Sequence, residues 1–209
     1  PTTLAAQITA FLRRTPPVPR SDVPPKALIV PHAGYVYSGP IAAQAYRLLI
    51  PFADRIRRVV LFGPAHRVPV LGLALPETSA FRTPLGDVPV DVAASAVALQ
   101  HPDDERSERA HLLEHALEVQ LPFLQQILDD FAIVPFVVGW VEPHKVAEVM
   151  TRLWGGPETL IVVSSDLSHY HPDAEARALD QRTLQRILAF DPTLEPDDAC
   201  GSTAIDALL

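Results

Sequence analysis

The chain has 209 residues, is 48% hydrophobic and 20% charged, and carries a formal net charge of -8 with a pI near 5.4. That composition fits a single soluble α/β domain over 1–209, and the scattered arginines (Arg13, Arg14, Arg57, Arg58, Arg106, Arg109) form no basic block, which argues against nucleic acid as a partner. No apolar run reaches the roughly 18 residues of a membrane span, and the single cysteine, Cys200, excludes an internal disulfide and fits a reducing cytoplasm.

The first residues lack the charged and apolar regions of a signal peptide. They place Leu4, Ile8, Phe11 and Leu12 on one face of an amphipathic helix. Residues Thr15 to Pro25 read as an extended proline-rich linker. Ala27 to Pro31 reads as a buried strand, and Pro40 to Ile50 as a helix with proline in its first turn and Ser38 or Gly39 near the cap. Arg58 to Phe62 and Val70 to Leu75 are further strands, and Thr83 to Val90 is a turn feeding a short one. Asp91 can cap an alanine-rich helix that runs to about Gln100. Residues 101–108 are polar and read as a surface loop. Glu114 to Leu128 carries Leu117, Leu121, Leu124 and Leu128 at helical spacing, interrupted at Pro122. Ala132 to Val138 is a strand containing Pro135, Pro143 to Trp154 a helix stopped by Gly155 and Gly156, and Thr159 to Val163 the last clear strand. Helices follow over Asp173 to Phe190 and from Ser202.

Strands that are apolar throughout, separated by helices, predict a three-layer α/β/α fold with a mostly parallel sheet. Ligands in such sheets bind beyond the carboxyl ends of the strands. His32 follows the strand ending in Val30, His66 follows the one ending in Phe62, and His169 follows the one ending in Val163. Parallel strands would bring all three to one rim. Neutral imidazole ligates zinc, copper and iron and is also the usual general base near pH 7. Asp166 can orient a histidine or serve as a turn residue.

The segments PHAGYVYSG (31–39), GPAHRV (63–68), EHALEVQLPF (114–123), VPFVVG (134–139) and SSDLSHY (164–170) together resemble the Memo family, whose bacterial and archaeal members are labelled AmmeMemoRadiSam system protein B. Cys200-Gly201 resembles that family's Cys-Gly segment. The resemblance runs in order over nearly the whole chain. It implies a LigB-like fold, related to the class III extradiol dioxygenases that hold non-haem iron with two histidines and a carboxylate. On that resemblance His32 and His66 fall on the two histidine-ligand positions and His169 on the acid–base histidine, with Asp166 beside it. Cys200 falls where the dioxygenases place their acidic ligand. A thiolate there is softer than a carboxylate, favouring copper or zinc or altering the redox properties of iron. No nucleotide cofactor is implied. The family label associates the chain with AMMECR-type and radical SAM proteins, and redox and protein-interaction roles accompany it. Family members also carry a Gly-Phe/Tyr-Tyr-Pro type segment before the first helix and further strands after the equivalent of Leu209, which implies that this chain lacks part of the usual C-terminal region.

Two other patterns bear on function. Tyr35 and Tyr37 follow His32 directly, Tyr35 as a candidate pocket wall and Tyr37 as an anchor of the loop onto the neighbouring helix. His111-Leu112-Leu113-Glu114-His115 matches the inverted zinc-peptidase signature H-x-x-E-H, in which two histidines one helical turn apart hold zinc and the glutamate is the base. That chemistry needs a further ligand, for which Glu142, Glu148 and Glu175 are formally available. Without it, His115 lines the pocket or packs beneath it. The alternatives are therefore a metal-competent His/Cys pocket, a working catechol dioxygenase, a non-catalytic module that receives a small molecule or peptide, and a zinc peptidase.

Overall fold

Strands apolar on both faces require cover on both faces, and the computed structural model, which describes residues 1–16, 21–99 and 101–209, provides it. Six strands form the main sheet. In spatial order they are β1 (Ala27–Val30), β8 (Thr159–Ser164), β2 (Arg58–Pro64), β7 (Ala132–Val138), β3 (Leu73–Leu75) and β6 (Glu105–Arg106). The first four are mutually parallel, β3 runs antiparallel to β7, and β6 is parallel to β3. A separate hairpin joins β4 (Ala80–Thr83) to β5 (Gly86–Pro89).

Alternation along each strand divides the core in two. Val59 and Leu61 of β2, with Leu160 and Val162 of β8, meet α1 (Thr2–Arg14), α2 (Tyr35–Tyr46) and α5 (Leu121–Ile127) on one face. Val60, Phe62, Ile161 and Val163 meet α3 (Val92–Ala98), α6 (Pro143–Arg152) and α8 (Ser202–Leu208) on the other. This is the expected α/β/α layering. The helix α4 (Glu108–Leu112) and the helix α7 (Asp173–Leu188) complete the chain. No helix among the described residues is long and apolar enough to cross a membrane.

Pro135 sits inside β7 at no cost to the ladder. Ala132 N donates to Arg57 O, so the even-numbered amides face β2, while Ile133 O accepts from Asp91 N on the opposite side. The nitrogen of Pro135 therefore points away from β2. On that side β3 pairs only with Val137 and Val138, so no bond is forgone.

Several elements depart from the expected bounds. The first helix after His32 begins at Tyr35 with Gly34 as its cap, so Pro40 lies inside it, and the chain continues as a 3-10 turn over Arg47–Phe52. The bond Pro40 forgoes would end on Val36, on the solvent side. The expected strand at Val70 to Leu75 shrinks to β3, and part of the expected loop at 101–108 forms β6 and opens α4. No continuous helix spans Glu114 to Leu128. The carboxylate of Glu114 takes the amides of His115 and Ala116 at 2.8 and 3.0 Å, which diverts them from helical carbonyls. A 3-10 turn at Glu118–Gln120 then leads into α5, with Pro122 in its first turn. Tyr37 is 81% exposed and anchors nothing. The middle of the proline-rich linker (17–20) and Gln100, at the expected end of the alanine-rich helix, lie outside the described residues.

Candidate metal centre

Because β1, β2 and β8 are parallel, the residues after them share one rim. His32 and His66 each stand two residues beyond their strands, and Ser164 closes β8. The turn at Glu114 brings His115 to the same place. The three rings form a near-equilateral triangle, with centroids 5.2, 5.6 and 5.2 Å apart for His32–His66, His32–His115 and His66–His115. One ring nitrogen from each lies within 4.8 Å of the others, a spacing that can hold a metal ion.

Hydrogen bonds fix which nitrogen His32 presents. Ser164 Oγ donates its one proton to Ala116 O at 2.6 Å. It must therefore accept from both other neighbours, Gln120 Nε2 at 2.9 Å and His32 Nδ1 at 2.9 Å. Gln120 is oriented in turn, since its Nε2 also donates to Pro31 O at 3.0 Å and its Oε1 accepts from Tyr46 OH at 2.9 Å. All four side chains are buried. His32 thus carries a proton on Nδ1 and turns Nε2 toward Cys200 Sγ, 3.4 Å away.

His66 is set the same way by a different partner. Its Nδ1 donates to Glu114 Oε1 at 3.0 Å and its backbone N to Glu114 Oε2 at 2.7 Å, leaving Nε2 for the hydrogen bond with Cys200. Hydrogen bonding to Cys200 and then to Glu114 raises the His66 pKa to about 9. Burial pushes the Glu114 carboxyl up, but bonds from His66 and from the Ala116 and His66 amides outweigh it and bring the group to about 2. Burial likewise opposes ionisation of Cys200, yet hydrogen bonds with His32 and His66 hold its thiol at about 6. Burial lowers the His115 pKa, keeping it neutral.

The Glu114–His66 pair has a defined pH window in the metal-free protein. Glu114 contributes stability in full above 4.5, lost as pH falls through about 2. His66 contributes in full below 6.5, lost as pH rises through about 9. Cys200 titrates in the opposite sense over the same window, since its thiol stands at about 6 against an ordinary 9.0 and adds stability as pH rises, so denaturant titrations should show little net change between 6.5 and 9. In Glu114→Gln the His66 contribution should shrink and stability should rise with pH across that window, and an unchanged profile would remove Glu114 from this role.

Cys200 reaches the centre through a close approach at Gly201. A Cβ on Gly201 would lie 2.7 Å from Ser165 Cβ and 2.9 Å from Ser164 O, so only glycine lets this segment rest on β8. Cys200 Sγ then accepts from Asp166 N at 3.3 Å. Asp166 pins the other wall, its Oδ1 accepting from His32 N at 2.8 Å and Ala33 N at 3.2 Å, with Oδ2 at 3.8 Å from His32 Nε2.

The structure thus gathers His32, His66, His115, Cys200, Asp166 and Glu114. It leaves two expected site residues outside the cluster. His169 is exposed, with its ring against Tyr170, and Tyr35 packs edge-on to Phe123 with its OH donating to Val119 O at 2.9 Å. His111 does not share a face with His115. It is buried, bonded through Nε2 to Ala74 O at 3.0 Å, on a helix that ends before Glu114. Ser164, Gln120 and Tyr46 carry no spacing signal in the sequence, because what matters about them is a proton inventory that only the fold assembles.

Comparison with known proteins identifies the family. A family model described as Memo-like protein matches residues 1–199. The match ends one residue before Cys200, so the place of that thiol rests on geometry. The chain is 43% identical over 169 residues to a MEMO1 family protein of Aquifex aeolicus, covering 78% of this chain and 61% of that protein. It is 38% identical over 176 residues to MEMO1 family protein MTH_45 of Methanothermobacter thermautotrophicus, covering 80% and 62%. For a MEMO1 family protein of Archaeoglobus fulgidus the identity is 40% over 181 residues, covering 83% and 66%. The matched region thus spans under two thirds of the length of these relatives.

Proposed function

The chain belongs to the Memo-like family, and from that premise we propose that it is a metalloprotein holding one transition-metal ion on His32 Nε2, His66 Nε2 and Cys200 Sγ, with His115 as a further nitrogen donor. One observation carries the proposal. The Nδ1 atoms of His32 and His66 are both committed to acceptors, so both Nε2 atoms are left facing the Cys200 sulfur. Three lone pairs facing each other need a proton or a cation between them. Imidazole and thiolate donors suit iron, copper or zinc over magnesium or calcium. Such an ion supplies Lewis-acid chemistry, and redox chemistry where it is iron or copper. The residues around it do the rest: Ser164 and Glu114 hold the tautomers, and Asp166 fixes the turn that carries His32.

Cobalt(II) substitution tests the donor set. Tetrahedral nitrogen and sulfur ligation gives intense visible absorption with a thiolate charge-transfer band. The band should vanish in Cys200→Ser. A spectrum unchanged by that substitution would exclude sulfur. Ser164→Ala should weaken metal binding by about 10–100-fold, the usual effect of losing the partner that orients a ligating histidine. A competition titration against a chelator measures it.

A second reading, extradiol ring opening of a catechol on iron, is favoured by Asp166, whose Oδ2 stands beside His32 as a carboxylate within reach of the same centre. Oxygen uptake with catechol and Fe(II)-loaded protein, abolished in Asp166→Asn, is its expected signature. Iron-loaded protein that consumes no oxygen with catechol contradicts it.

A further inference from the structure

The metal centre absorbs Glu114 and His115 of the sequence pattern His111 to His115 and leaves His111 without a role. That residue is 9% exposed, and its Nδ1 is the only buried side-chain nitrogen or oxygen among the described residues that lacks a hydrogen-bond partner. Its tautomer is fixed. Ala74 O can only accept, so Nε2 carries the proton shared with it at 3.0 Å. Burial keeps the ring neutral, which leaves Nδ1 as a bare lone pair. A buried acceptor without a donor is uncommon and costly.

The ring lines a cavity of about 180 Å³ between the β4–β5 hairpin, α4 and the turn at Glu118–Gln120. Ala74 is not one of its walls, so Nδ1 is the polar atom that His111 has left to offer there. Phe81 packs edge-on against the ring, with centroids 5.8 Å apart, and holds its orientation. The other ionisable walls are Arg82, Glu108, Glu114 and Glu118. Two of these are engaged. Arg82 is tied to its hairpin register partner Asp87 through Nε and Nη2, at 2.8 and 3.0 Å. Glu114 is filled by His66, His115 and Ala116. The other two are free. Glu108 precedes His111 by three residues on α4, and neither its carboxylate nor that of Glu118 has a hydrogen bond or ion pair among the described residues. Burial and the nearby Glu114 push the Glu118 carboxyl up, as expected of an acid short of a cation. The cavity therefore offers three unfilled acceptors and, apart from the engaged Arg82, no charged donor.

We propose that this cavity binds a small guanidinium compound, which donates one N–H to His111 Nδ1 and pairs with the carboxylates of Glu108 and Glu118. A guanidinium carries five donors in a planar fork and no acceptor, which matches this inventory. A bare metal ion does not match it: among the described residues the metal-competent group is His32, His66 and His115, and the acceptors here do not close to the same 4.8 Å spacing. The volume lies below the roughly 300–1,000 Å³ of sites for drug-sized molecules, so the occupant is little more than the head group. Leu112, 72% exposed, lines the same cavity and is the side chain that swings aside to admit the donor to the buried nitrogen.

Methylguanidinium is the probe, used at concentrations that leave the far-ultraviolet circular dichroism unchanged. Long-range proton–nitrogen spectra of the histidine rings follow it. The His111 Nδ1 resonance should start at the position of an unbonded lone pair and move upfield saturably. Urea has the same planar N–H pattern without the charge and should bind more weakly. Tetramethylammonium has the charge without N–H and should leave the resonance in place. Glu108→Gln and Glu118→Gln, both at exposed positions, should each weaken methylguanidinium by about 2- to 10-fold, as loss of one charged partner implies. No saturable movement of Nδ1, urea bound as tightly as methylguanidinium, an equal shift with tetramethylammonium, or full affinity with both glutamates changed would each overturn the proposal. A blocked arginine distinguishes the source of the head group: equal binding assigns it to a protein side chain, weaker binding to a free small molecule.

Discussion

His32→Ala and His66→Ala are each expected to strip the protein of its metal while leaving it folded. Each change removes an Nε2 donor whose direction is set by a hydrogen bond on the far side of the ring. The loss should exceed the roughly 10–100-fold that follows from removing only an orienting partner. His66 is the cleaner test of folding, because its side chain is 28% exposed and truncation leaves little cavity. His32 is 2% exposed, and its removal also leaves Ser164 Oγ short of one donor, so a modest stability loss accompanies the metal loss. Metal analysis of tag-free protein checks both. His111→Ala is the matched control: its ring bonds Ala74 O away from the cluster, so its metal content should stay at the parent level. Metal lost in His111→Ala but kept in His66→Ala would return the zinc-peptidase pattern to consideration.

Phe62→Ala should destabilise the fold by about 3–5 kcal/mol. Phe62 and Phe136 are register partners on adjacent strands and are fully buried on the second face of the sheet. Their rings stack at 4.9 Å with planes 10° apart. Truncation opens a cavity between two central strands, where no helix can settle into the gap without dragging the ladder. Against a typical native stability of about 5–15 kcal/mol, the loss is a large fraction of the total. Phe62 also lies four positions before His66 on β2, so metal affinity should fall with it. Urea unfolding in the presence of chelator isolates the packing effect. A change below about 1 kcal/mol would contradict the packing described for this face.

The architecture was legible because runs such as Val59 to Phe62 and Leu160 to Val163 have no polar face, and only a covered parallel sheet accommodates that. From parallel strands the meeting of His32 and His66 followed directly. His115 was harder to place. Its segment has helical leucine spacing, and nothing in that spacing shows that a buried Glu114 will capture the next two amides and turn the chain toward the rim. His169 shows the opposite limit. Its position after β8 matches that of His32 after β1, but the loop is longer, and in the structure its ring stands at the surface beside Tyr170, whose φ is 62°. Strand-exit position fixes which rim a residue reaches and leaves its direction to the loop. The Tyr46–Gln120–Ser164–His32 chain could not be read from sequence at all. Its members are distant in sequence, and their significance is the count of donors and acceptors once they are buried together.

The most direct test of the central claim is anomalous scattering from crystals of tag-free protein, collected on both sides of the iron, copper and zinc absorption edges. A single peak at coordination distance from His32 Nε2, His66 Nε2 and Cys200 Sγ, present above one edge and absent below it, is the predicted result. A peak elsewhere in the molecule, or ordered water among these three atoms with no anomalous signal after reconstitution with each metal, would contradict it.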